Sequence, residues 1–239
     1  MHTISSDQLL ARLTGFLFLV TFATSIPAAL VLYAPALTDP GFVLGGGFDR
    51  ALAWGALLEM LLIVANVGTA LTLYPVLRRD SEVLSLAFVT ARLMESAFIA
   101  VGLVALMALN TLRMQATGPD EALQAVAQGL VAVHDWTFRL GPGFVVGIGN
   151  GLLLGVLMWR TRLVPRGLSV LGLIGGPALI VTGSGVLLGI AQPAGPAQII
   201  ATIPEFIWEL GLGLWLLIRG FAPSALADLS PRADRRKAA

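Results

Sequence analysis

The run "LSLAFVTARLMESAFIAVGLVALMALNTL", residues 84–112, is apolar along almost its whole length. It is long enough to cross a membrane, because a hydrocarbon core about 30 Å thick needs about 20 helical residues. The apolar residues are continuous rather than alternating, which favours a helix over a strand. Two full charges, Arg92 and Glu95, nevertheless stand near its middle. The run therefore predicts a membrane-spanning helix that has a specific reason to carry charge.

Comparable apolar windows recur along the chain. Of its 239 residues, 56% are hydrophobic and 12% charged, whereas soluble domains are about 25% charged. The mean hydropathy is +0.86. The windows cover residues 9–33, 51–77, 84–112, 144–159, 167–190 and 199–218, and the short fourth window would be lengthened by a helix over residues 130–140. We predict an all-α integral membrane protein, a bundle of about six transmembrane helices.

The basic residues are divided unequally between the two sides of this bundle. If the N-terminus is cytoplasmic, eleven Arg and Lys residues lie at the cytoplasmic ends of the helices, and only Arg50 and Arg113 lie in the outer loops. Arg92 and Arg139 remain at or within membrane depth. Because positive residues concentrate on the cytoplasmic side, we expect both termini in the cytoplasm of a multi-pass protein of the cell (inner or plasma) membrane.

The domain organisation is simple. We expect residues 1–222 to form a single transmembrane domain and residues 223–239 a polar, basic, disordered cytoplasmic tail. The first apolar run is too long for a cleaved signal peptide. The chain has no cysteine, which excludes disulfides, thiolate metal sites and a cysteine nucleophile. A net charge of +1 gives no reason to expect nucleic acid as a partner.

Glycines repeat at intervals of four in two of the predicted spans. Residues four apart share a helix face, so such a series forms a groove that another helix can approach closely. The glycines are Gly143, Gly147, Gly151 and Gly155 in the fourth span, and Gly172 with Gly176 and Gly185 with Gly189 in the fifth. We expect these faces to pack helices, either within the chain or between copies in a homo-oligomer. The segment "GIGNG", residues 147–151, follows no strand and is not a nucleotide-binding fingerprint.

Polar residues at membrane depth are the strongest functional signal in the sequence. An ionisable group at the bilayer centre costs at least about 2.5 kcal/mol, usually faces the bundle interior and marks a functional site. In the sixth span Thr202, Glu205 and Glu209 share one helix face. The predicted ligand-binding or proton site comprises Glu59, Arg92, Glu95, His134, Glu205 and Glu209, with Asn66, Asp135 and Arg139 as secondary candidates.

The acids of this set outnumber the bases. Five carboxyl groups (Glu59, Glu95, Asp135, Glu205 and Glu209) face Arg92, Arg139 and a titratable His134. At least two carboxylates are therefore in surplus. Either they are protonated, or a cation, a ligand or a water-filled pocket is present.

Structural interpretations stand beside the functional one. Arg92 and Glu95 could form an intrahelical pair that only fixes the helix register. Glu59 could meet water at the level of the headgroups. Asp135 and Arg139 could lie in a surface helix outside the membrane.

Six segments together resemble a bacterial family of multi-pass membrane proteins catalogued as domain of unknown function 4386. They are "ARLTGFLFLV" (11–20), "LYPVLRR" (73–79), "ARLMES" (91–96), "HDWTF" (134–138), "RTRLVPRGLSVLG" (160–172) and "EFIWELGLGLWLLIRG" (205–220). The resemblance runs from about Arg12 to Gly220. It implies an integral membrane protein and assigns no activity, cofactor or catalytic residue.

Three functions are consistent with these features. The first is binding or transport of a small or amphiphilic ligand, or of protons, through an outward-facing polar cluster. The second is an intramembrane enzyme that acts on lipid, in one version with a metal held by His134 and carboxylates, although one histidine with glutamates matches a zinc site poorly. The third is a structural or accessory protein whose charges only specify helix pairing. We expect the first, with the lipid bilayer as partner and no confident metal site.

Overall fold

The computed structural model describes residues 5–229, in which all six predicted spans are present as helices of 22 to 41 residues. Each is long and apolar enough to cross a membrane, and no strand occurs in this part of the chain. The helices are α1 (Ser6–Leu32), α2 (Arg50–Leu77), α3 (Glu82–Gln115), α4 (Glu121–Thr161), α5 (Arg166–Leu187) and α6 (Pro196–Ile218). The prediction of a multi-pass helical membrane protein is confirmed.

Polar residues immediately before four of the helices fix where these helices begin. The side chains of Ser5, Asp49, Ser81 and Asp120 each accept a hydrogen bond from the backbone N–H three residues further on. Such N-caps satisfy one of the four backbone donors that the first helical turn leaves free. The four long helices α1 to α4 therefore start where a short polar side chain precedes an apolar run.

The six helices close a ring. Each helix packs against the next one in the sequence, and α6 returns to pack against α1. The contact between α1 and α6 is close, because a Cβ atom on Gly15 would lie 2.6 Å from the carbonyl oxygen of Gly213. Side chains that point to the inside of the ring therefore meet side chains from several helices.

α4 is the longest helix. It runs without a break from residue 121 to residue 161, so residues 130–140 do lengthen the short fourth window. At about 1.5 Å per residue its 41 residues extend about 60 Å. Part of α4 therefore lies beyond a hydrocarbon core about 30 Å thick. Its middle, Gly141–Val145 and Gly147–Leu154, is wound as a π-helix, a rare conformation that frequently accompanies functional sites.

The glycine face of α4 packs against α5, as the spacing predicted. A Cβ atom on Gly147 would lie 2.7 Å from the carbonyl oxygen of Gly176. Gly151 lies against the same glycine, and Gly155 lies against Gly172 and Leu173. The backbones of the two helices are thus in direct contact, and these glycines pack helices within the chain.

Polar contacts tie the helix ends together on the side of the termini. Arg79 at the end of α2 forms a two-pronged ion pair with Asp7 in α1, with both nitrogen–oxygen distances 2.8 Å. Gln8 exchanges two hydrogen bonds with the backbone of Phe221, which follows α6. Arg160 in α4 lies 3.1 Å from Asp80. Next to these contacts, toward the middle of the bundle, lies a large apolar core that includes Phe18, Leu73, Phe88, Leu154, Trp208 and Leu212.

The opposite side of the ring is covered by the connection between α1 and α2. This connection contains a short helix, Ala34–Thr38, and a second apolar core forms under it around Tyr33, Phe42 and Leu106. The side chain of Asn110 in α3 holds Asp49 through two backbone hydrogen bonds of 2.9 and 3.0 Å.

The start of the predicted disordered tail is ordered. Residues 223–229 are helical, and Ala225 and Leu229 are buried in the core on the terminal side. The expectation of disorder from residue 223 is therefore wrong for these residues. The reason is that apolar residues at helical spacing give this polar segment one face that can pack. The remainder of the tail, with the basic cluster of residues 232–237, lies outside the described residues.

The contact between α4 and α5 predicts a position-specific effect of added methyl groups. Gly176→Ala places a Cβ atom 2.6 Å from the backbone nitrogen of Leu152, so the helices must separate. We expect a loss of about 1–3 kcal/mol in the free energy of unfolding, measured in detergent micelles. Gly129→Ala in α4 is the control, since no atom lies within 4 Å of its added Cβ. Equal stability of the two variants would contradict the close contact.

Candidate functional site

A cavity of about 710 Å³ lies inside the ring. Its volume is within the range of small-molecule sites, about 300–1,000 Å³. All six predicted site residues and all three secondary candidates line it: Glu59, Arg92, Glu95, His134, Glu205 and Glu209, with Asn66, Asp135 and Arg139. Residues that are far apart in the sequence are thus brought to one place.

The walls of the cavity change in character along its length. Toward the loops on the side away from the termini it is bordered by Leu37, Pro193 and Ala194. Large apolar side chains form much of the wall, among them Phe22, Ile26, Leu30, Ile99, Phe138, Ile199 and Phe206. Most of the charged residues come from central positions of the helices. The cavity is therefore an apolar chamber with a polar part between the helix centres.

Arg92 and Glu95 form an ion pair within α3. Arg92 Nη1 lies 2.8 Å from a carboxylate oxygen of Glu95, and the two residues are 1% and 6% exposed. The guanidinium also lies 3.4 Å from the hydroxyl of Thr69 and 5.8 Å from the ring centre of Phe18. The charge of Arg92 is thus compensated within its own helix, as the structural interpretation proposed.

Glu209 is held by α4. The side-chain amide of Asn150 donates a 2.5 Å hydrogen bond to the Glu209 carboxylate. The backbone carbonyl of Asn150 accepts a 2.9 Å bond from the indole of Trp208. Asn150 is fully buried, so two neighbouring residues of α6 are bonded to one point of the π-helical segment.

Glu205 has no such partner. It is 3% exposed, and neither of its carboxylate oxygens has a hydrogen-bond partner among the described residues. The carboxylate lies in the space that Gly151 and Gly175 leave, where an added Cβ atom would be 2.7 and 2.8 Å from its Oε2. It interacts electrostatically with Glu209, Glu95 and Arg92. Three carboxyl groups, Glu95, Glu205 and Glu209, thus interact with one another and with the single guanidinium of Arg92.

Glu59 and Asn66 of α2 are bonded to neighbouring helices. The hydroxyl of Tyr33 donates a 2.9 Å hydrogen bond to Glu59, which is 5% exposed. Asn66 donates a 3.1 Å bond to Ser96 of α3. Glu59 therefore lies inside the protein, on the wall of the cavity.

His134, Asp135 and Arg139 lie together on α4. The ring of His134 is 5% exposed and meets the ring of Tyr33 edge-on at 5.7 Å between centres. Its Nδ1 has no hydrogen-bond partner among the described residues and lies 3.8 Å from the Asp135 carboxylate. Asp135 and Arg139 form a partly exposed pair at 3.4 Å. These residues line the cavity, and the helix that carries them is continuous with the rest of α4.

The acidic residues do not form a metal site in this arrangement. Within residues 5–229, no group of three His, Asp or Glu side chains is close enough to hold a metal ion.

The sequence reasoning missed the partners of these residues. Tyr33 appeared only as the end of the first apolar window, and Asn150 only as part of a glycine-rich packing segment. A single asparagine between glycines in an apolar span was a usable signal for Asn150, because a buried amide needs a partner. Nothing in the sequence pointed from Tyr33 to Glu59, since their contact depends on how the connection after α1 folds back.

The helices and the cavity define a multi-pass membrane protein with a polar intramembrane chamber. Residues 13–220 match the family model described as "Domain of unknown function (DUF4386)", and the chain belongs to this family. The suspected resemblance is thereby confirmed. No curated protein and no solved structure matches the chain.

The Arg92–Glu95 pair predicts unequal effects of single and double substitutions. Arg92→Leu leaves Glu95 buried without its partner and is expected to lower the free energy of unfolding by about 3–5 kcal/mol. The double variant Arg92→Leu/Glu95→Leu is expected to recover most of this loss, because neither charge is left. Arg139→Leu, at the half-exposed pair, is the control and is expected to cost less than about 1 kcal/mol. A double variant as unstable as Arg92→Leu would contradict the pairing.

Proposed function

We propose that this protein binds a small or amphiphilic ligand in the cavity between its six helices, and transports it or passes protons through the same polar cluster. The observation that carries the proposal is the position of the predicted polar residues on one cavity of about 710 Å³. Ligand sites are typically concave, largely apolar and equipped with a few polar groups that orient the ligand.

The composition of the walls supports an amphiphilic ligand. Phe22, Ile26 and Phe206 offer an apolar surface, while Glu205 and Glu209 offer charge in the same chamber. A molecule with an apolar and a polar end can satisfy both parts. Protons are the smallest alternative, because Glu205 and His134 both have buried polar atoms without partners among the described residues.

A structural role is the second candidate, and specific contacts favour it. Arg92 is paired with Glu95, Glu59 is bonded to Tyr33, and Asn66 is bonded to Ser96. These pairs connect α2 and α3 with their neighbours and could serve helix pairing alone. Glu205 distinguishes the two candidates, because a residue that only pairs helices needs a partner.

We propose further that the termini are cytoplasmic and that the cavity faces the outside of a cell (inner or plasma) membrane. The support is the positive-inside bias of eleven basic residues against two. The loop residues Leu37 and Pro193 border the cavity on the side away from the termini. Gly147, Gly151 and Gly155 are engaged with α5, so a homo-oligomer would need a different helix face.

Native mass spectrometry of the purified protein, coupled to lipid extraction and metal analysis, tests ligand binding. We expect a specific bound mass in the wild type that is lost in Glu209→Gln, because this variant removes a charge from the cavity. Glu82→Gln, at the start of α3 and outside the cavity, is the control and should retain the mass. If the wild type carries no bound mass and all three proteins are equally stable, ligand binding is excluded, and a proton-linked or purely structural role is favoured.

Single cysteines test the orientation, because the natural chain has none. Thr117→Cys lies between α3 and α4, and Gly167→Cys lies on the terminal side of α5, where an added Cβ meets no atom within 4 Å. We expect a membrane-impermeant maleimide to label Thr117→Cys in intact cells and Gly167→Cys only after lysis. The opposite pattern would reverse the proposed orientation.

A further inference from the structure

The residue that the other contacts leave unexplained is Glu205. Of the carboxyl groups between the helix centres, Glu95 is paired with Arg92, and Glu209 accepts a hydrogen bond from Asn150. Glu205 is only 3% exposed, and neither of its carboxylate oxygens has a hydrogen-bond partner among residues 5–229. A buried charge without a partner is costly, so Glu205 is either protonated or compensated by a group that the described residues do not supply.

No positively charged side chain is paired with Glu205 in this part of the cavity. Glu205 interacts electrostatically with two further carboxyl groups, Glu209 and Glu95, and with a single guanidinium. The charge of that guanidinium is already met by Glu95 at 2.8 Å. A second buried acceptor, Oδ1 of Asn150, also has no partner in the described part of the chain. Two guanidinium groups line the cavity, and each is paired with a carboxylate: Arg92 with Glu95 and Arg139 with Asp135. Nε of Arg92 has no hydrogen-bond partner among the described residues, but neither positive charge is left without a carboxylate, whereas Glu205 has no basic partner.

The apolar part of the cavity determines what kind of cation fits. The rings of Phe22 and Phe206 meet edge-on, 5.2 Å between centres, in the wall formed by α1 and α6. Aliphatic side chains such as Ile26 and Ile199 continue this wall. A hydrated inorganic ion gains nothing from such a surface, whereas an alkyl chain does. Aromatic faces also attract ammonium groups.

We propose that the ligand is a cationic amphiphile, a molecule with an alkyl tail and a protonated or quaternary ammonium head, and that Glu205 binds its head. The inference rests on the proposed function, because it names the class of ligand for the same cavity. The tail lies along Phe22, Phe206 and their aliphatic neighbours. The head lies between the helix centres, against Glu205 and beside Glu209.

The test uses three probes with the same tail and different heads: decyltrimethylammonium, decanol and decanoate. Their binding to the full chain in lipid nanodiscs is measured by native mass spectrometry. We expect the wild type to prefer decyltrimethylammonium over decanol by at least about tenfold, because the quaternary head is attracted to the Glu205 carboxylate by its charge and donates no hydrogen bond. Glu205→Gln should lose this preference and still bind decanol, which shows that the cavity remains intact.

Two further variants complete the test. Glu205→Met, which removes the charge with an apolar side chain, should lose the same preference. Glu82→Gln, which lies outside the cavity, should retain it. Binding of the three probes without preference for the cation, or a preference that both Glu205 variants retain, would overturn this inference and leave the proposed function in place. If no probe binds the wild type, this inference fails as well, and the proposed function is decided separately by whether the purified protein carries a specific bound mass.

Discussion

The ion pair between Arg92 and Glu95 is the interaction on which the interior of the bundle depends. A guanidinium that is 1% exposed can stay charged in a membrane-spanning helix only if an opposite charge and polar neighbours replace its water. Glu95 provides the charge from one turn further along α3. Thr69 and the ring of Phe18 line the remaining sides. Because these groups belong to α1, α2 and α3, the pair fixes how three helices face one another.

The glycines on α4 have no side chain beyond hydrogen, and this affects both the packing of α4 against α5 and the position of Glu205. Gly147, Gly151 and Gly155 let α4 and α5 touch through their backbones, which is the packing expected where no water drives helices together. Gly151 and Gly175 also leave the space that the Glu205 carboxylate occupies. A larger residue at either glycine would compete with this carboxylate. The close packing of α4 and α5 and the placement of the unpartnered acid are therefore one structural feature.

The sequence predicted much of the fold because the hydrocarbon imposes simple rules. Length and continuity of apolar runs locate a span, and all six windows overlap the observed helices. The buried charges were equally visible, since Glu205 or Arg92 stands out in an apolar run. The pairing of these charges was not, because contacts such as Tyr33 with Glu59 and Asn150 with Glu209 join residues 26 and 59 positions apart. The prediction of disorder from residue 223 failed for a different reason. Ala225 and Leu229 form a short apolar face, and two apolar residues are too few to reveal a helix in a segment that is polar overall.

The two ends of the ring differ in a way that bears on how a ligand can move. On the terminal side the polar contacts, such as Asp7 with Arg79, are partly exposed, and such pairs contribute about 0–1 kcal/mol each. The apolar core on the same side, with Phe18 and Trp208 fully buried, holds the helices together through close van der Waals packing, which is the main attraction between helices inside a bilayer. Binding a ligand from the loop side leaves this core intact. Passage of an amphiphile to the terminal side requires the core to part, whereas protons need only a chain of polar groups or water. Under the proposed function, binding and proton movement would therefore need little rearrangement, whereas transport of a larger ligand would need the helices around this core to move apart.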